Sequence, residues 1–471
     1  MVQDMVSARQ QPQPMFPGPP FPLNRLCVPK PEVMEPPVNR LIDLLTTHYP
    51  SFEQSQPLQA HVRKAVRMAL SCQTSALGGH VERCPHGHVE RIFYNSCGHR
   101  CCPRCAPRIR RKWLLARQKK LLPVRHYHVI FTLPHVFNAL WSGNFQEMGT
   151  LLFHSAVGAL RTLLADPRWL GAEVGLTVTL ETWDDRLFFH PHLHCLVTGG
   201  GLTPDGEWVD VANPHCLVAV KPLMWAFRKR FCQGLKQALQ DGMLILPEGT
   251  PTRQWLNRLN KVNRQKWEVF IAKPPEDGGP SPEDILRYQA ADVAGGALSG
   301  ERLVSVSALS ATQLAYLKSA PFSDTRLEEA PEGDVSFRWG AYDSSTGKRE
   351  RTQIERLPVA EFLRRYLQHV PPPSYQTVRH YGLYTSAKKR AYAQCCALLH
   401  DRQPPAPPPE DEADSPDRPT DWQREHTCPI CGQPLMVTAY LPSSRTGKVI
   451  PRVPLGSTPA RSPTPGDAHA T

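Results

Sequence analysis

The stretch that most limits what this chain can become is residues 188–201, FFHPHLHCLVTGGG. An apolar run that opens on histidines and closes on three glycines reads as a β-strand ended by a turn. Side chains alternate faces along a strand. His192 and His194 therefore share one face with His190, and Leu193, Cys195 and Val197 share the other. Two imidazoles held side by side on a rigid strand form a bidentate platform for a metal ion. A single buried histidine is more often an ordinary core residue; the pairing is what points to ligation.

The 14 cysteines fall unevenly. Five lie between Cys84 and Cys105, and two more form Cys428-Pro-Ile-Cys431. The N-terminal residues have no apolar signal core, so this spacing argues for zinc in a reducing cytoplasm rather than disulfides. Cys102-Pro-Arg-Cys105 is a knuckle whose tight turn aims two thiolates at one tetrahedral ion. Its second pair is to come from Cys84 with His88 or His86, or else from Cys97. The candidates Cys84, His88, Cys97, Cys102 and Cys105 outnumber the places on one tetrahedral ion. For the second knuckle, the partners nearest to hand are Cys395 and Cys396.

A chain of 471 residues has room for two or three domains. Its net charge of +12 and pI of about 9.1 suit a polyanionic partner, most simply nucleic acid. Residues 108–120 read as a helix with seven Arg or Lys. Arg108, Arg110, Arg111 and Lys112 are its candidate phosphate contacts. No run of about 18 apolar residues exists to span a membrane. Around the histidine strand, residues 126–133 and 176–182 alternate as strands. The short connection at 184–186 makes the second an antiparallel neighbour of the histidine strand. Helical periodicity covers 38–49 and 59–70, with Pro50 breaking between them. It also covers 137–164, 225–240, 359–369 and 378–400. Residues 281–296 form a well-signalled helix: Ser281 caps it, Pro282 suits its first turn, and Gly295-Gly296 end it. Tyr288 and Asp292 share a face of that helix. Short strands are expected at 303–307, 334–339 and 348–357.

The fold class is thus α+β, an antiparallel sheet flanked by helices. The expected organisation is a disordered Pro-rich leader (1–37), a helical lead-in with a zinc-binding domain (38–122), and a catalytic domain with the tyrosine helix (123–310). A small β region with a basic helix (311–400), a Pro- and acid-rich linker (401–426), and a second knuckle with a disordered tail (427–471) follow.

A histidine pair needs a third ligand and an open position before its metal can do chemistry. On a basic protein, phosphate is the oxygen ligand expected to fill that opening. The attacking group is then sought among tyrosines, because no G-x-S-x-G elbow and no phosphate-cradling P-loop is present. Tyr288 is one candidate; Tyr381 and Tyr384 are rivals that spacing alone does not separate.

Together these motifs resemble a known family. His192-Leu193-His194 is similar to the histidine–hydrophobic–histidine motif of HUH single-strand endonucleases. Thr182-Trp183, HPHLHCLVTGGGL and 126–134 (HYHVIFTLP) resemble rolling-circle transposases of the insertion-sequence ninety-one type. The Cys84–Cys105 cluster resembles that family's N-terminal zinc-binding domain. Two features depart from the pattern: Cys84-Pro-His-Gly-His88 is a shortened knuckle, and Cys101 stands where a histidine is usual. The resemblance runs from about 38 to 400. It implies metal-assisted transesterification on single-stranded DNA at element ends and target, with structural Zn²⁺ and a catalytic Mg²⁺ or Mn²⁺. Tyr288 falls at the nucleophile position and would form a 5′-phosphotyrosine. The family's second tyrosine is Asp292 here, which fits a single-tyrosine mechanism. One turn from Tyr288, Asp292 is the candidate third metal ligand beside His192 and His194, and Glu181 is its rival. The resemblance places the chain in a bacterial-type cytoplasm, at the nucleoid, and leaves homo-oligomerisation open. A replication initiator or relaxase, or a zinc-containing DNA-binding protein that does not cut, are the alternatives.

Overall fold

Period-two alternation in three segments decides the centre of the molecule. The structure, a computed structural model, describes residues 32–33, 40–141, 143–272, 279–294, 303–306, 334–342, 349–402 and 426–443. The leader apart from Glu32–Val33, which pairs as a two-residue strand with Glu90–Tyr94, nearly all of the linker, the tail after 454 and the Gly295-Gly296 helix stop lie outside these residues.

In chain order, α1 (Arg40–Ser55) and α2 (Ala60–Ser71) lead into a hairpin of β1 (Gly79–Arg83) and β2 (Glu90–Tyr94), then α3 (Ala106–Gln118). The central region follows: β3 (His126–Thr132), α4 (Phe145–Leu164), β4 (Gly175–Trp183), β5 (Phe189–Thr198), α5 (Val220–Gln240), α6 (Thr252–Val262), β6 (Val269–Ile271) and α7 (Pro282–Val293). Beyond it come β7 (Leu303–Val306), β8 (Asp334–Tyr342), β9 (Arg349–Pro358), α8 (Val359–Leu367), β10 (Val378–Gly382), α9 (Lys389–Leu398) and β11 (Met436–Leu441).

The central sheet runs β10–β4–β5–β3–β6, with every pair antiparallel. One face is apolar. Val129 and Phe131 of β3, Val178 and Leu180 of β4, and Leu193 and Cys195 of β5 are fully buried there. They meet Leu152, Phe153 and Leu160 of α4 and Phe227 and Phe231 of α5. The opposite face carries the polar set. Register places Glu181 opposite His192, Thr179 opposite His194, and Ile130 on the other flank of His194. Directly opposed residues point the same way, so the alternation that buries Leu193 also lines up Glu181, His192 and His194. Helix α7 covers this face, packing Ile285 and Leu286 on Leu196. Trp113 and Leu114 of α3 join the same cluster.

Three expectations change. Helix α1 continues through Pro50 instead of ending there. Leu41, Leu44, Leu45, Tyr49 and Phe52, on both sides of the proline, enter one core with Phe337 and Phe362. Their burial outweighs the cost of about 3 kcal/mol for proline within a helix. Residues 378–400 are not one helix: Val378–Gly382 adds an edge strand to β4 before α9 begins. Pairing with an open sheet edge overrides local helix preference. Gly382 closes that strand at φ +56°, where a Cβ would strike the Val174 carbonyl, so only glycine fits. Finally, Met436–Leu441 is a strand, paired with β1.

The apolar face should dominate stability. Phe227 is fully buried, with ring centroids 4.9 Å from Phe131 and 5.4 Å from Trp267. Phe227→Ala should lose about 3–5 kcal/mol in urea unfolding. A loss below about 1 kcal/mol would show that this face is not the core.

Candidate metal centre and nucleophile

Glu181, His192 and His194 form a buried group whose ligand atoms all lie within 4.8 Å of one another. Glu181 Oε2 is 3.1 Å from His194 Nε2 and 3.6 Å from His192 Nε2. Each imidazole is oriented through its other nitrogen. His192 Nδ1 donates to the His190 carbonyl at 2.7 Å, which leaves Nε2 as a lone-pair donor facing the carboxylate. His194 Nδ1 lies 2.9 Å from His128 Nε2 on the neighbouring strand. With the hydrogen of that bond on His194, its Nε2 also faces Glu181 as a lone pair. His194 Nε2 is buried and has no hydrogen-bond partner among the described residues, despite its closeness to Glu181. A buried nitrogen lone pair aimed at a carboxylate is an unmet acceptor, and a cation held among the three groups would satisfy it. The donor set of two imidazoles and one carboxylate therefore fits a divalent metal ion.

The electrostatics agree. Burial pushes His192 down to about 4, and burial followed by the charges of His194 and His192 pushes His128 down to about 3. Both rings are neutral at neutral pH, the form in which His192 can ligate a metal. Burial would raise the Glu181 carboxyl, but positive charge placed among the facing imidazoles, whether by protons or by a bound cation, together with the Tyr288 hydrogen bond, outweighs it and holds it below the ordinary range.

Tyr288 sits over this group. Its hydroxyl donates to Glu181 Oε2 at 2.9 Å, and its ring centroid is 4.7 Å from that of His194. The ring is 39% exposed, so the residue stands at the boundary between the buried donors and solvent. Burial, then the Glu181 charge, raises the phenol well above its usual pKa, so it carries its proton here. Helix α7 is held firmly. Ser281 and Asp284 form a capping box at one end, and the wholly buried Gln289 donates to the His194 carbonyl at 2.9 Å and to the Thr177 carbonyl. At the other end Arg110 donates to the Ala294 carbonyl at 2.6 Å.

The rival tyrosines are elsewhere. Tyr384 is held by Leu122 N and His126 in a buried cluster, and Tyr381 packs against the apolar core. Asp292 is not among the converging donors, and Glu181 is. Asp292 is half-buried with Oδ2 buried and unpaired among the described residues, and burial, then the Glu181 charge, pushes its carboxyl well above the usual range. His190 lies beside His192, at 5.1 Å between ring centroids, yet outside the donor group. His128 and Gln289 were not anticipated. The alternation of His126-Tyr127-His128 could have pointed to His128; nothing local marks Gln289.

The expected zinc ligands divide into two sets. Cys97, Cys102 and Cys105 gather with Cys72, which the spacing did not suggest because it ends α2, well before the cluster. Cys105 Sγ is 3.5 Å from Cys72 Sγ and 3.7 Å from Cys97 Sγ. Zinc–sulfur bonds of about 2.3 Å imply tetrahedral edges of about 3.8 Å, so the four thiols suit one zinc ion. Cys84 and His88 lie instead with His86 and Cys431. The guess that Cys395 and Cys396 serve the second knuckle is overturned: Cys395 is buried beside Leu122 and Leu383, and Cys396 is exposed. Of the basic helix, Arg108, Arg111 and Lys112 are exposed on α3, and Arg110 is the residue that braces α7.

Comparison with known proteins agrees with this architecture. The family model described as "Transposase zinc-binding domain" matches residues 44–133, and the one described as "Putative transposase" matches 175–316 and 310–391. The chain is 35% identical over 409 residues to "Putative transposase y4qJ" of Sinorhizobium fredii, covering 84% of this chain and 93% of that protein. It is 27% identical over 326 residues to "Transposase for insertion sequence element IS801" of Pseudomonas savastanoi pv. phaseolicola, covering 68% of this chain and 69% of that one. No solved structure matches it. No described helix is long and apolar enough to cross a membrane. The chain belongs to the transposases of the IS91 type, with that family's zinc-binding domain ahead of its central sheet.

Proposed function

We propose that this transposase nicks and rejoins single-stranded DNA in rolling-circle transposition, by an HUH-type transesterification with Tyr288 as nucleophile. The observation that carries the reading is the Tyr288 hydroxyl 2.9 Å from Glu181, directly over the buried histidine pair. A module that only bound DNA would need neither the three converging donors nor a phenol fixed above them.

His192, His194 and Glu181 would hold the divalent cation, and imidazole suits Mn²⁺ at least as well as Mg²⁺. When bound, the cation polarises the scissile phosphoryl oxygen and offsets the negative charge that builds in the transition state. The protein's own groups do the rest. Glu181 orients the phenol and accepts the hydrogen bond through which its proton leaves. The Tyr288 oxygen attacks phosphorus, forms the phosphotyrosine bond to the 5′ side, and releases a 3′-hydroxyl. Attack by a later 3′-hydroxyl on the same phosphorus restores the phosphodiester and the tyrosine. Gln289 and the capping box hold the helix still, so the phenol needs little reorganisation. His128 fixes the His194 ring from behind.

A groove of about 1200 Å³ supports a single-stranded substrate. Arg117, Lys120, Arg379 and Lys389 line it together with the aromatic rings of Trp113 and Tyr392. Cations that track a backbone, interleaved with rings on which bases stack, suit single strands. The groove borders Leu286 of α7 and Thr177 of β4, on the sheet face that carries the donors.

Two outcomes test this reading. With single-stranded terminal DNA and Mn²⁺, the wild type should form a covalent adduct that resists denaturation, and Tyr288→Phe should form none. An adduct surviving in Tyr288→Phe would move the nucleophile. Titration of Mn²⁺ should show Glu181→Gln weakening affinity by about tenfold or more, with Asp292→Asn within about twofold of wild type. The reverse order would restore Asp292 as the third ligand.

A further inference from the structure

The last described segment of the chain returns to the first domain. Strand β11 pairs antiparallel with β1, from Met436 opposite Arg83 to Leu441 opposite Gly79. At the head of this pairing two tight turns face each other. In one, Gly87 N–H donates to the Cys84 carbonyl and Cys84 N–H to the Val89 carbonyl, with Gly87 at φ +75°. In the other, Gly432 N–H donates to the Cys428 carbonyl and Cys428 N–H to the Gln433 carbonyl, with Gly432 at φ +70°. Turns of this shape aim their side chains at a common point.

The donor atoms meet there. Cys84 Sγ lies 3.5 Å from Cys431 Sγ and 3.7 Å from His88 Nδ1. Cys428 Sγ lies 3.8 Å from His88 Nδ1. Bonds of about 2.3 Å to sulfur and about 2.0–2.1 Å to nitrogen give tetrahedral edges of about 3.5–3.8 Å. The spacing is that of ligands around one zinc ion. Cys84 and Cys431 stand 347 residues apart in sequence. Both family matches end before residue 428, so neither includes the second knuckle.

We propose that Cys84, His88, Cys428 and Cys431 bind a second zinc ion, which fastens the chain's C-terminal strand to the N-terminal zinc-binding domain. His86 also gathers with Cys84, His88 and Cys431, in a group that does not include Cys428; the fourth place goes to Cys428 because its Sγ reaches His88 and its turn presents it beside Cys431. The docked strand has little else to hold it. Met436 and Tyr440 are 47% and 40% exposed, and Ile430 is 66% exposed, so no large apolar side chain there is buried. Such sparse burial does not offset the entropy of ordering a distant chain end. Metal ligation does, since the site's binding free energy is folding free energy. Near the turn, His426 stacks on Phe93 at 4.2 Å between centroids and lies 2.8 Å from both Glu82 oxygens. His80 also reaches Glu82, at 3.0 Å, so that neighbouring trio is joined by hydrogen bonds shorter than the edges of a zinc tetrahedron.

The full-length protein, purified with zinc, tests this directly. Zinc content should be two ions per chain and fall to one in Cys428→Ser/Cys431→Ser, with Cys72→Ser losing the other ion. Two ions retained in the double variant would overturn the proposal. His426→Ala should keep both, which separates loss of the metal from loss of strand docking; loss of an ion in His426→Ala would overturn the assigned ligand set. Because a serine variant could misfold, His88→Cys gives the second measurement in Co²⁺-exchanged protein. It should keep full metal content, with the thiolate–cobalt absorption strengthened as one site goes from three sulfurs to four. An unchanged spectrum would remove His88 from the site.

Discussion

A buried carboxylate is the constraint around which the rest is arranged. Glu181 is 6% exposed and sits two residues from the end of β4, an inner strand of the sheet. An ion taken out of water there costs several kcal/mol unless it is matched closely. The phenol of the helix laid across it supplies part of the match, and the two imidazoles on the adjacent strand, with lone pairs turned toward it, leave the rest to a cation held among the three groups. Each of those groups also needs Glu181. Without the carboxylate, the histidines would be two lone pairs facing each other in a dry interior. The cluster is therefore complementary in charge only as a unit, and a divalent cation completes that unit more fully than protons do.

The sheet makes such a cluster tolerable by giving all the apolar work to its other face. Leu180, Leu193 and Val129 anchor the strands from below, so Glu181, His192 and His194 cannot turn away from one another without moving the backbone. The remaining freedom belongs to α7, and it is removed at three places: the Ser281–Asp284 box, Gln289 on the strand carbonyls, and Arg110 on the Ala294 carbonyl. The capping box and Arg110 hold backbone at the two ends of the helix, and Gln289 ties its middle to the backbone of the strands. Tyr288, partly exposed, is then the member of the group left open to solvent.

The pattern of residues 188–198 shows why so much of this was legible and where legibility stopped. Period two is a local property, so the strand, its two faces and the histidine pair could be read without a fold. The antiparallel partner followed from a three-residue connection. Glu181 could be named only as a rival to Asp292, because helical spacing shows which residues share a face but not what that face covers. Cys72 and the Cys428–Cys431 partnership depend on contacts between segments far apart in sequence, which spacing cannot express. The edge strand at Val378–Gly382 was misread as helix for the same reason: the open edge of β4 lies some 200 residues earlier, and hydrogen bonding to it decides the conformation. The Pro50 error ran the other way, since a local breaker yielded to burial on both of its flanks.

Helix α3 ties the zinc-binding domain to the chemistry. Cys105 is its N-cap, and Cys102 sits in the turn just before it, so the four-sulfur cluster sets where the helix begins and which way it points. Further along, Arg110 braces the end of α7, and Trp113 and Leu114 share the apolar contact of Ile285 and Leu286 with Leu196. Arg117 then reaches the groove and lies 3.1 Å from His380 on the edge strand. A helix is stiff over this length, so a change of aim at the cysteines would be felt at the tyrosine helix one and two turns on. The zinc-binding domain is for that reason part of the scaffold of the proposed site as well as a candidate DNA contact: it supplies one wall of the groove and the brace behind Tyr288.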